Sequence, residues 1–209
     1  MRPSIVPSQR SVNIAFLRLM LVVGLALGLV ACASLRATRA LPADLPTAWE
    51  ARRNALQSWR EFDSHGRVAV ASAGEGFSGS WRWAQRAERS SLELNGPIGV
   101  GGLRVEFGTD RKADASSRLA LEQQLGFSLP VDSLRYWMLG VPDPRGAAEE
   151  RLAADASRLE GLRQDGWTVA FTRYARVSGA DYELPQRIDV TRDALRVRLV
   201  IEGWGGGVR

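Results

Sequence analysis

Apolar and polar residues alternate with a period of two over much of this 209-residue chain. In the segment FSGSWRW, residues 77–83, the aromatic side chains fall on one face and the Ser and Arg side chains on the other. Successive side chains of a β-strand point to opposite faces, so this pattern indicates strands with one buried face. Further runs of this kind are RVAVAS, SLEL, LRVEF, SRLEGLRQ, WTVAFTRY, ELPQRIDV and ALRVRLVIEGW. About eight strands joined by short turns, Asp165-Gly166 among them, favour a strongly curved antiparallel sheet or an incomplete barrel.

Helical patterns occur before the strands and again in the middle of them. Thr47 and Glu50 have the T-x-x-E spacing of a capping box, and the apolar residues that follow predict an amphipathic helix ending near Arg60. The segments 117–126 and 131–140 carry apolar residues at helical spacing, and each ends at a glycine. We therefore expect two short helices that interrupt the sheet and plug or cover its concave side.

The inward-facing apolar residues are the candidate lining of the interior. They are Phe77, Trp81, Trp83, Leu92, Leu94, Val105, Trp167, Val169 and Phe171 from the strands, with Trp137 and Met138 from the second short helix. Such a set builds either a filled core or an apolar cavity, because the same alternation is found in both. The sequence leaves that choice open.

The segment NGPIGVGG, residues 95–102, lies between two alternating runs. Asn-Gly-Pro and the further glycines are typical of turns, since they supply positive or fixed φ. The runs on both sides predict a hairpin with this segment at its tip. Ile98 is unusual there, because an apolar side chain at a tip either folds back on the outer wall or is directed at something outside the protein.

Residues 1–31 have the composition of an export signal. They contain three arginines and no acidic residue, and they end in the run LMLVVGLALGLVA. This run is shorter than the roughly 20 residues of a comfortable membrane span, so a signal peptide is favoured over an uncleaved anchor. Leu29-Val30-Ala31-Cys32 resembles the lipobox of bacterial lipoproteins; the alternative is an ordinary A-x-A cleavage site that discards Cys32.

Lipidation accounts economically for Cys32, the only cysteine of the chain. A single cysteine in an exported protein cannot form an internal disulfide. The lipobox implies cleavage before Cys32 and three acyl chains attached to it. Because residue 33 is Ala and not Asp, it also implies sorting to the periplasmic face of a Gram-negative outer membrane. Residues 32–46 then form the lipidated N-terminus and a flexible tether, and residues 47–209 form the folded domain.

The isoelectric point near 10.3 does not indicate a nucleic-acid-binding protein. Removing the three arginines of residues 1–31 leaves 25 basic residues against 23 acidic ones, a net charge of about +2. That excess is too small to attract a polyanion. We therefore expect no nucleic-acid partner.

The residues that usually carry catalysis are scarce. His65 is the only histidine, which excludes metal sites with several imidazoles, and its position beside Gly66 predicts a strand entrance. The glycines of the 95–102 tip are not followed by the Lys-Ser/Thr of a phosphate loop. Glu149 and Glu150 are expected in a polar loop. These observations predict a binding protein without catalytic residues, metal or cofactor.

Taken together, these features resemble the LolB family of outer-membrane lipoprotein receptors. The resemblance rests on FSGSWRW, the SLELNGPIG hairpin, LGFSLPVDSLRYWMLGVPDP, QDGWTVAFTRY, and ELPQRIDV leading to RLVIEGW. It covers most of the mature chain, and its most specific part is the segment 125–144 with its spacing from Gly166-Trp167. The resemblance implies a half-open antiparallel barrel with a helical lid around a hydrophobic cavity. One departure is the short connection between Phe107 and Leu121, where we expect a strand to be shortened or lost.

The resemblance also implies a function. Such proteins take lipoproteins from the periplasmic carrier LolA, hold their acyl chains in the cavity and incorporate them into the outer membrane; we expect a monomer. Ile98 occupies the place of the family's protruding hydrophobic residue, which is implicated in membrane insertion. Two alternatives stay open: an envelope lipoprotein that binds lipid or scaffolds other envelope proteins without transfer, and a periplasmic hydrolase that uses Ser-Asp chemistry.

Overall fold

The alternating runs form a single nine-stranded antiparallel sheet, seen in a computed structural model that describes residues 45–72, 75–96, 102–108 and 111–205. The helices are α1 (Leu45–Gln57), α2 (Arg111–Leu125) and α3 (Val131–Met138). The strands are β1 (Glu61–Ser72), β2 (Glu75–Arg86), β3 (Arg89–Asn95), β4 (Leu103–Phe107), β5 (Ala148–Leu152), β6 (Leu159–Gln164), β7 (Trp167–Ala175), β8 (Leu184–Arg192) and β9 (Leu195–Gly205). The expected leader, Cys32, Ile98 and residues 32–44 of the expected tether lie outside the described residues. Leu45 and Pro46, which we placed in the tether, belong instead to the first turn of α1, so the folded domain begins two residues earlier than predicted.

The sheet has the strand order β4-β3-β2-β1-β9-β8-β7-β6-β5, and every neighbouring pair is antiparallel. Each half is a series of hairpins, and the two halves join where β1 pairs with β9. Strands β4 and β5 are the two edges, and they do not pair with each other in the described part of the chain. The sheet is therefore not closed, in agreement with the predicted incomplete barrel.

The pairing register places the apolar residues of neighbouring strands opposite one another. Val70 of β1 lies opposite Val197 of β9, and Trp83 of β2 lies opposite Leu92 of β3; all four side chains are buried. Because the side chains of a strand alternate, this register sends the intervening Arg and Ser side chains to the other face. We refer to the face that carries the buried apolar residues as the inner face.

The tight turn between β6 and β7 follows the chemistry of its two residues. Asp165 and Gly166, between β6 and β7, have φ values of 51° and 77°. Two successive residues with positive φ make the turn whose twist matches that of the flanking strands, and Asp-Gly is a preferred pair for it. The expected Asp-Gly hairpin is confirmed.

Strand β5 was not foreseen, so the described sheet has nine strands and not about eight. Glu149 and Glu150 lie within it, and their assignment to a polar loop is wrong. An edge strand with few apolar residues lacks the alternation by which the others were found. Glu150 accepts hydrogen bonds from Trp49 Nε1 (2.7 Å) and Arg53 Nη1 (3.2 Å), which join α1 to this edge.

Helix α2 begins at Arg111, six residues before the predicted segment. It follows β4 after only a short connection, so helix takes up the part of the chain in which we expected a shortened or lost strand.

His65 is an exposed residue in the interior of β1, and the expectation that it lies at a strand entrance is wrong. Helix α1 ends at Gln57, three residues before Arg60.

Candidate functional site beneath the helices

The inner face of the sheet and the helical segment above it enclose a small cavity. The sheet contributes nine lining residues: Val68, Val70, Trp81, Trp83, Leu92, Leu94, Val190, Val197 and Leu199. The segment from the end of α2 through α3 contributes six: Leu125, Phe127, Leu129, Leu134, Trp137 and Met138. All fifteen are aliphatic, aromatic or Met, so the cavity offers an environment for hydrocarbon and not for a charged ligand.

The cavity has a volume of about 30 Å³. That is room for about one water molecule, whereas pockets that hold small ligands measure roughly 300–1,000 Å³. The interior is therefore nearly filled in this conformation. The open question of a filled core or a cavity has a mixed answer: the walls are those of an apolar site, but a long ligand enters only if part of the lining moves.

Six of the eleven candidate lining residues border the cavity: Trp81, Trp83, Leu92, Leu94, Trp137 and Met138. The other five do not border it: Val105, Trp167, Val169 and Phe171 are buried elsewhere in the core, and Phe77 is half-buried against it. Strand β7, which carries three of these five, is separated by β8 from the central strands that face the cavity. Alternation identifies the inward face, but it does not say which part of that face lies under the helices.

Sequence reasoning missed two lining residues in particular, Phe127 and Leu129. They lie in the connection between α2 and α3, where neither helical nor strand periodicity applies. Val190, Val197 and Leu199 were recognisable, since each lies on an alternating strand. The available signal for Phe127 and Leu129 was only their apolar character between two helices.

Helix α3 is held against the sheet by a buried amide. Gln164, at the end of β6, accepts hydrogen bonds at Oε1 from Trp137 Nε1 (3.0 Å) and from the backbone N–H of Asp143 (2.9 Å). Its Nε2 donates to the carbonyl oxygens of Asp143 (2.8 Å) and Gly146 (3.1 Å). The side chain uses both donors and both acceptor positions, as a buried amide must to avoid a large desolvation cost.

Asp143 extends this network to the start of α3. Its carboxylate accepts hydrogen bonds from Ser133 Oγ (3.0 Å) and from Arg145 Nη2 (2.6 Å) and Nε (2.9 Å). Burial by itself raises the pKa of Asp143, but the bonds from Arg145 and Ser133 outweigh burial and hold the pKa below its ordinary value of 3.8. The carboxylate stays ionised and ties α3 to the loop that leads into β5.

Helix α2 has weaker supports. Asp114 Oδ1 accepts a hydrogen bond from the backbone N–H of Gly108 (2.8 Å), and Arg118 pairs with Asp132 of α3 (2.8 Å) at the protein surface. Leu121 is the one fully buried side chain among the described side chains of α2, residues 114–125. A solvent-exposed ion pair adds little stability, so the attachment of α2 rests mainly on Leu121, on the half-buried Ala120 and Leu125, and on Arg118, which lies 5.6 Å from the ring centre of Phe107.

Helix α1 is held against the sheet and its loops through Arg52. The guanidinium is almost fully buried, lies 5.6 Å and 5.3 Å from the ring centres of Tyr174 and Tyr182, and donates to the carbonyl oxygen of Glu183. Desolvation lowers the pKa of Arg52 and raises that of Tyr174. Both groups keep their ordinary charge at neutral pH, so this cluster fixes α1 structurally.

The described residues contain no group of three or more His, Cys, Asp or Glu side chains placed to hold a metal ion. Within the same part of the chain, no helix is long and apolar enough to cross a membrane. The fold and the site together define a class: a binding protein in which an unclosed antiparallel sheet and a helical cover surround an apolar interior.

Comparison with known proteins identifies the family. The family described as "Outer membrane lipoprotein LolB" matches residues 60–204. Outer-membrane lipoprotein LolB of Pseudomonas paraeruginosa is 34% identical over 200 residues, which cover 90% of this chain and 96% of the relative. The LolB of Pseudomonas syringae pv. syringae is 32% identical with the same coverage, and that of Alkalilimnicola ehrlichii is 34% identical over 88% and 96%.

This chain belongs to the LolB family, and it is a lipid-anchored outer-membrane protein of lipoprotein transport. The resemblance found in the sequence is confirmed, and the lipid-binding or scaffolding alternative is not favoured.

Two solved structures align more loosely. A DUF1329 family protein from Desulfovibrio piger has a TM-score of 0.44 and 9% identity, with 78% and 91% of the two chains covered. A putative outer membrane lipoprotein-sorting protein domain from Vibrio parahaemolyticus has a TM-score of 0.40 and 8% identity, with 78% and 90% covered.

Proposed function

We propose that this protein accepts lipoproteins from a periplasmic carrier of the LolA type and incorporates them into the outer membrane. The acyl chains of the cargo lie on the inner face of the sheet, beneath α2 and α3. The observation that carries the proposal is the wholly apolar lining of this interior, from Val68 and Trp83 on the sheet to Trp137 on α3. The partners are the carrier, the acyl chains and the lipid of the outer membrane, and the protein acts as a monomer.

The physical chemistry requires no fuel and no catalytic residue. Each acyl CH2 group removed from water contributes about 0.8 kcal/mol, so a chain passes readily between apolar sites but not through water. Hand-off then consists of contacts exchanged between carrier, acceptor and bilayer. We propose no enzymatic step.

The small volume of the cavity suits a site of temporary residence. A chain that enters must displace side chains already packed there, and the cost of that displacement is subtracted from the binding free energy. Such an acceptor binds the chain less tightly than a preformed cavity does. It therefore releases its cargo more easily to the bilayer. The interior therefore favours transit over storage.

Two features outside the described residues complete the proposal. The acylated Cys32 anchors the protein, and Ile98 at the hairpin tip contacts the bilayer during release. Leu94 and Leu103 are paired at the ends of β3 and β4, so the tip follows directly from a strand pair with inward apolar residues. Burying one Ile in lipid contributes about 1.5–3 kcal/mol, enough to orient the protein but too little to anchor it.

A transfer assay tests the proposal. The full-length lipoprotein is reconstituted in phospholipid vesicles and mixed with a carrier loaded with a radiolabelled lipoprotein. We expect the label to leave the carrier and float with the vesicles at a rate that depends on the amount of acceptor; vesicles without acceptor are the control. A scaffold would leave the label on the carrier, and that result would refute the proposal.

A further inference from the structure

A cavity of about 30 Å³ cannot hold an acyl chain, so some part of its lining must give way when the cargo loads. Nine of the fifteen lining residues lie on β1, β2, β3, β8 and β9, and each of these strands pairs with a neighbour on both sides. Moving them would break the ladder of backbone hydrogen bonds. The part that moves is therefore to be sought in the helical segment.

Helix α3 forms the fixed part of that segment. Trp137 is fully buried, donates from Nε1 to Gln164, and lies 6.4 Å from the ring of Trp167. Its partner Gln164 belongs to β6 and also holds Asp143, which in turn accepts from Ser133 near the start of α3. Displacing α3 would leave several buried polar groups without partners, and such groups are costly.

Residues 125–129 are held differently. Leu125, Phe127 and Leu129 direct apolar side chains at the cavity, yet all three are only half-buried. The backbone bonds here are local: Gly126 N–H donates to Glu122 O (2.7 Å), and Val131 N–H donates to Leu129 O (2.9 Å). Within the described residues, no hydrogen bond joins residues 125–129 to a strand. They can leave the sheet without leaving a buried polar group unpaired.

Gly126 gives this segment a natural pivot. Its φ is +78°, in the left-handed region that ends a helix, and a Cβ placed there would meet nothing within 4 Å. The helix before the pivot is held by the buried Leu121, by the hydrogen bond between Asp114 and Gly108, and by Arg118, which pairs with Asp132 and lies 5.6 Å from the ring centre of Phe107. These contacts lie outside residues 125–129, so rotation about Gly126 moves Phe127 and Leu129 without breaking them.

We propose that residues 125–129 fill the acyl-chain site of the empty protein as a substitute for the cargo and are displaced when the cargo loads. We call them the plug. Helix α3 stays in place, and Gln164 is the positioning residue that keeps Trp137 in the fixed wall. This inference rests on the proposed function and adds to it the division of the lining into a moving part and a fixed part.

Polar substitution in the plug and in the wall should have opposite effects. Phe127→Gln weakens the packing of the plug, increases the fraction of open protein and tightens the apparent binding of an acyl probe about three- to tenfold. Thr has nearly the same shape as Val, so Val70→Thr only places a hydroxyl in the wall of the sheet that the acyl chain contacts. This change weakens binding about threefold or more. If residue 127 were ordinary lining, both changes would weaken binding.

The probe is 11,12-dibromostearic acid, whose bromine atoms quench tryptophan fluorescence on contact. It is titrated into the full-length lipoprotein in nanodiscs of unbrominated phospholipid, so that partition into lipid is the same for every variant. Tighter binding by Phe127→Gln supports the plug; weaker or unchanged binding overturns it. If the wild type shows no saturable quenching beyond that of the nanodisc, the acyl-binding function itself fails, and the plug with it.

Hydrogen exchange distinguishes the moving part from the fixed one. On loading, we expect amides of residues 125–129 to exchange faster, while those of Leu139 and Gly140 at the end of α3, bonded to Tyr136 O and Trp137 O, keep their protection. In Gln164→Leu, loading should also expose α3. Trp137→Phe, which removes the indole donor together with part of the ring, serves if Gln164→Leu does not fold. Loss of protection in α3 of the wild type would contradict the fixed wall.

Discussion

Trp137 and Gln164, 27 residues apart in the sequence, meet in the interior through a hydrogen bond of 3.0 Å from the indole Nε1 to the amide Oε1. The indole is at the same time part of the cavity wall. One contact thus serves two purposes: it satisfies a buried donor, and it fixes a large aromatic surface in the site. Stability of the fold and shape of the site depend here on the same pair.

Gln164→Leu should lower the free energy of unfolding by about 2–4 kcal/mol. The change leaves Trp137 Nε1 and the N–H of Asp143 buried without their acceptor. Equilibrium unfolding in urea measures the loss. Arg163→Leu, the exposed neighbour on the same strand, is the control and should change stability by no more than about 0.5 kcal/mol. Equal effects of both variants would show that the Gln164 network contributes no special stability.

Acid should destabilise the protein through Asp143. Its folded-state pKa lies below 3.8, so in acid the unfolded chain binds more protons than the folded one. The stabilisation is present above about pH 4 and is lost as the pH falls through the folded-state pKa. Asp143→Asn should be less stable at neutral pH and should show a shallower loss between about pH 5 and pH 2.

The measurement is the urea midpoint of unfolding as a function of pH. Asp132→Asn is the matched control, since that carboxylate lies at the surface in an exposed pair with Arg118. It should follow the wild-type curve. If Asp143→Asn also followed that curve, the acid sensitivity would have to come from other carboxylates.

Ile98→Glu should leave acyl binding near normal and slow the incorporation of cargo into vesicles. A carboxylate at the tip does not enter the hydrocarbon region, because burying an isolated charge there is costly. Transfer of labelled lipoprotein and quenching by the brominated fatty acid measure the two steps separately. Ile98→Leu, which keeps an apolar side chain, should behave as the wild type. Equal loss of binding and incorporation would argue against a separate membrane role for the tip.

Cys32→Ser should abolish lipidation, and the protein should then lack its three-chain anchor. Mass spectrometry of the N-terminus tests the modification directly, and a variant that still carries acyl chains would disprove the lipobox. Ala33→Asp tests sorting with the lipid retained. It should leave the acylated protein in the inner membrane, as separation of the two membranes on a sucrose gradient would show.

Much of the architecture followed from local patterns. Residues 77–83 alternate strictly, and they form part of β2 with both tryptophans on the inner face. Asp165-Gly166 formed the expected turn. These features depend on neighbours within a few positions, so their physical causes, side-chain alternation and backbone φ preference, are readable in the sequence.

Strand β5 and the connection with Phe127 and Leu129 were not readable in this way. The strand AEERL exists because β6 offers it a partner and because α1 supplies donors to Glu150. Phe127 belongs to the site because two helices place its connection over the sheet. Neither fact has a local cause, and periodicity is silent where the structure is irregular.

The sequence by itself determined the strand faces, the helical interruption, the resemblance to a family of lipoprotein receptors and the absence of a histidine-rich or disulfide chemistry. Only the tertiary structure decided that the interior is nearly filled, that Gln164 fixes α3 through Trp137, and that six of the eleven candidate residues line the cavity. The physical reason is that local preferences act over a few residues, whereas packing volume and buried hydrogen bonds depend on which distant segments come together.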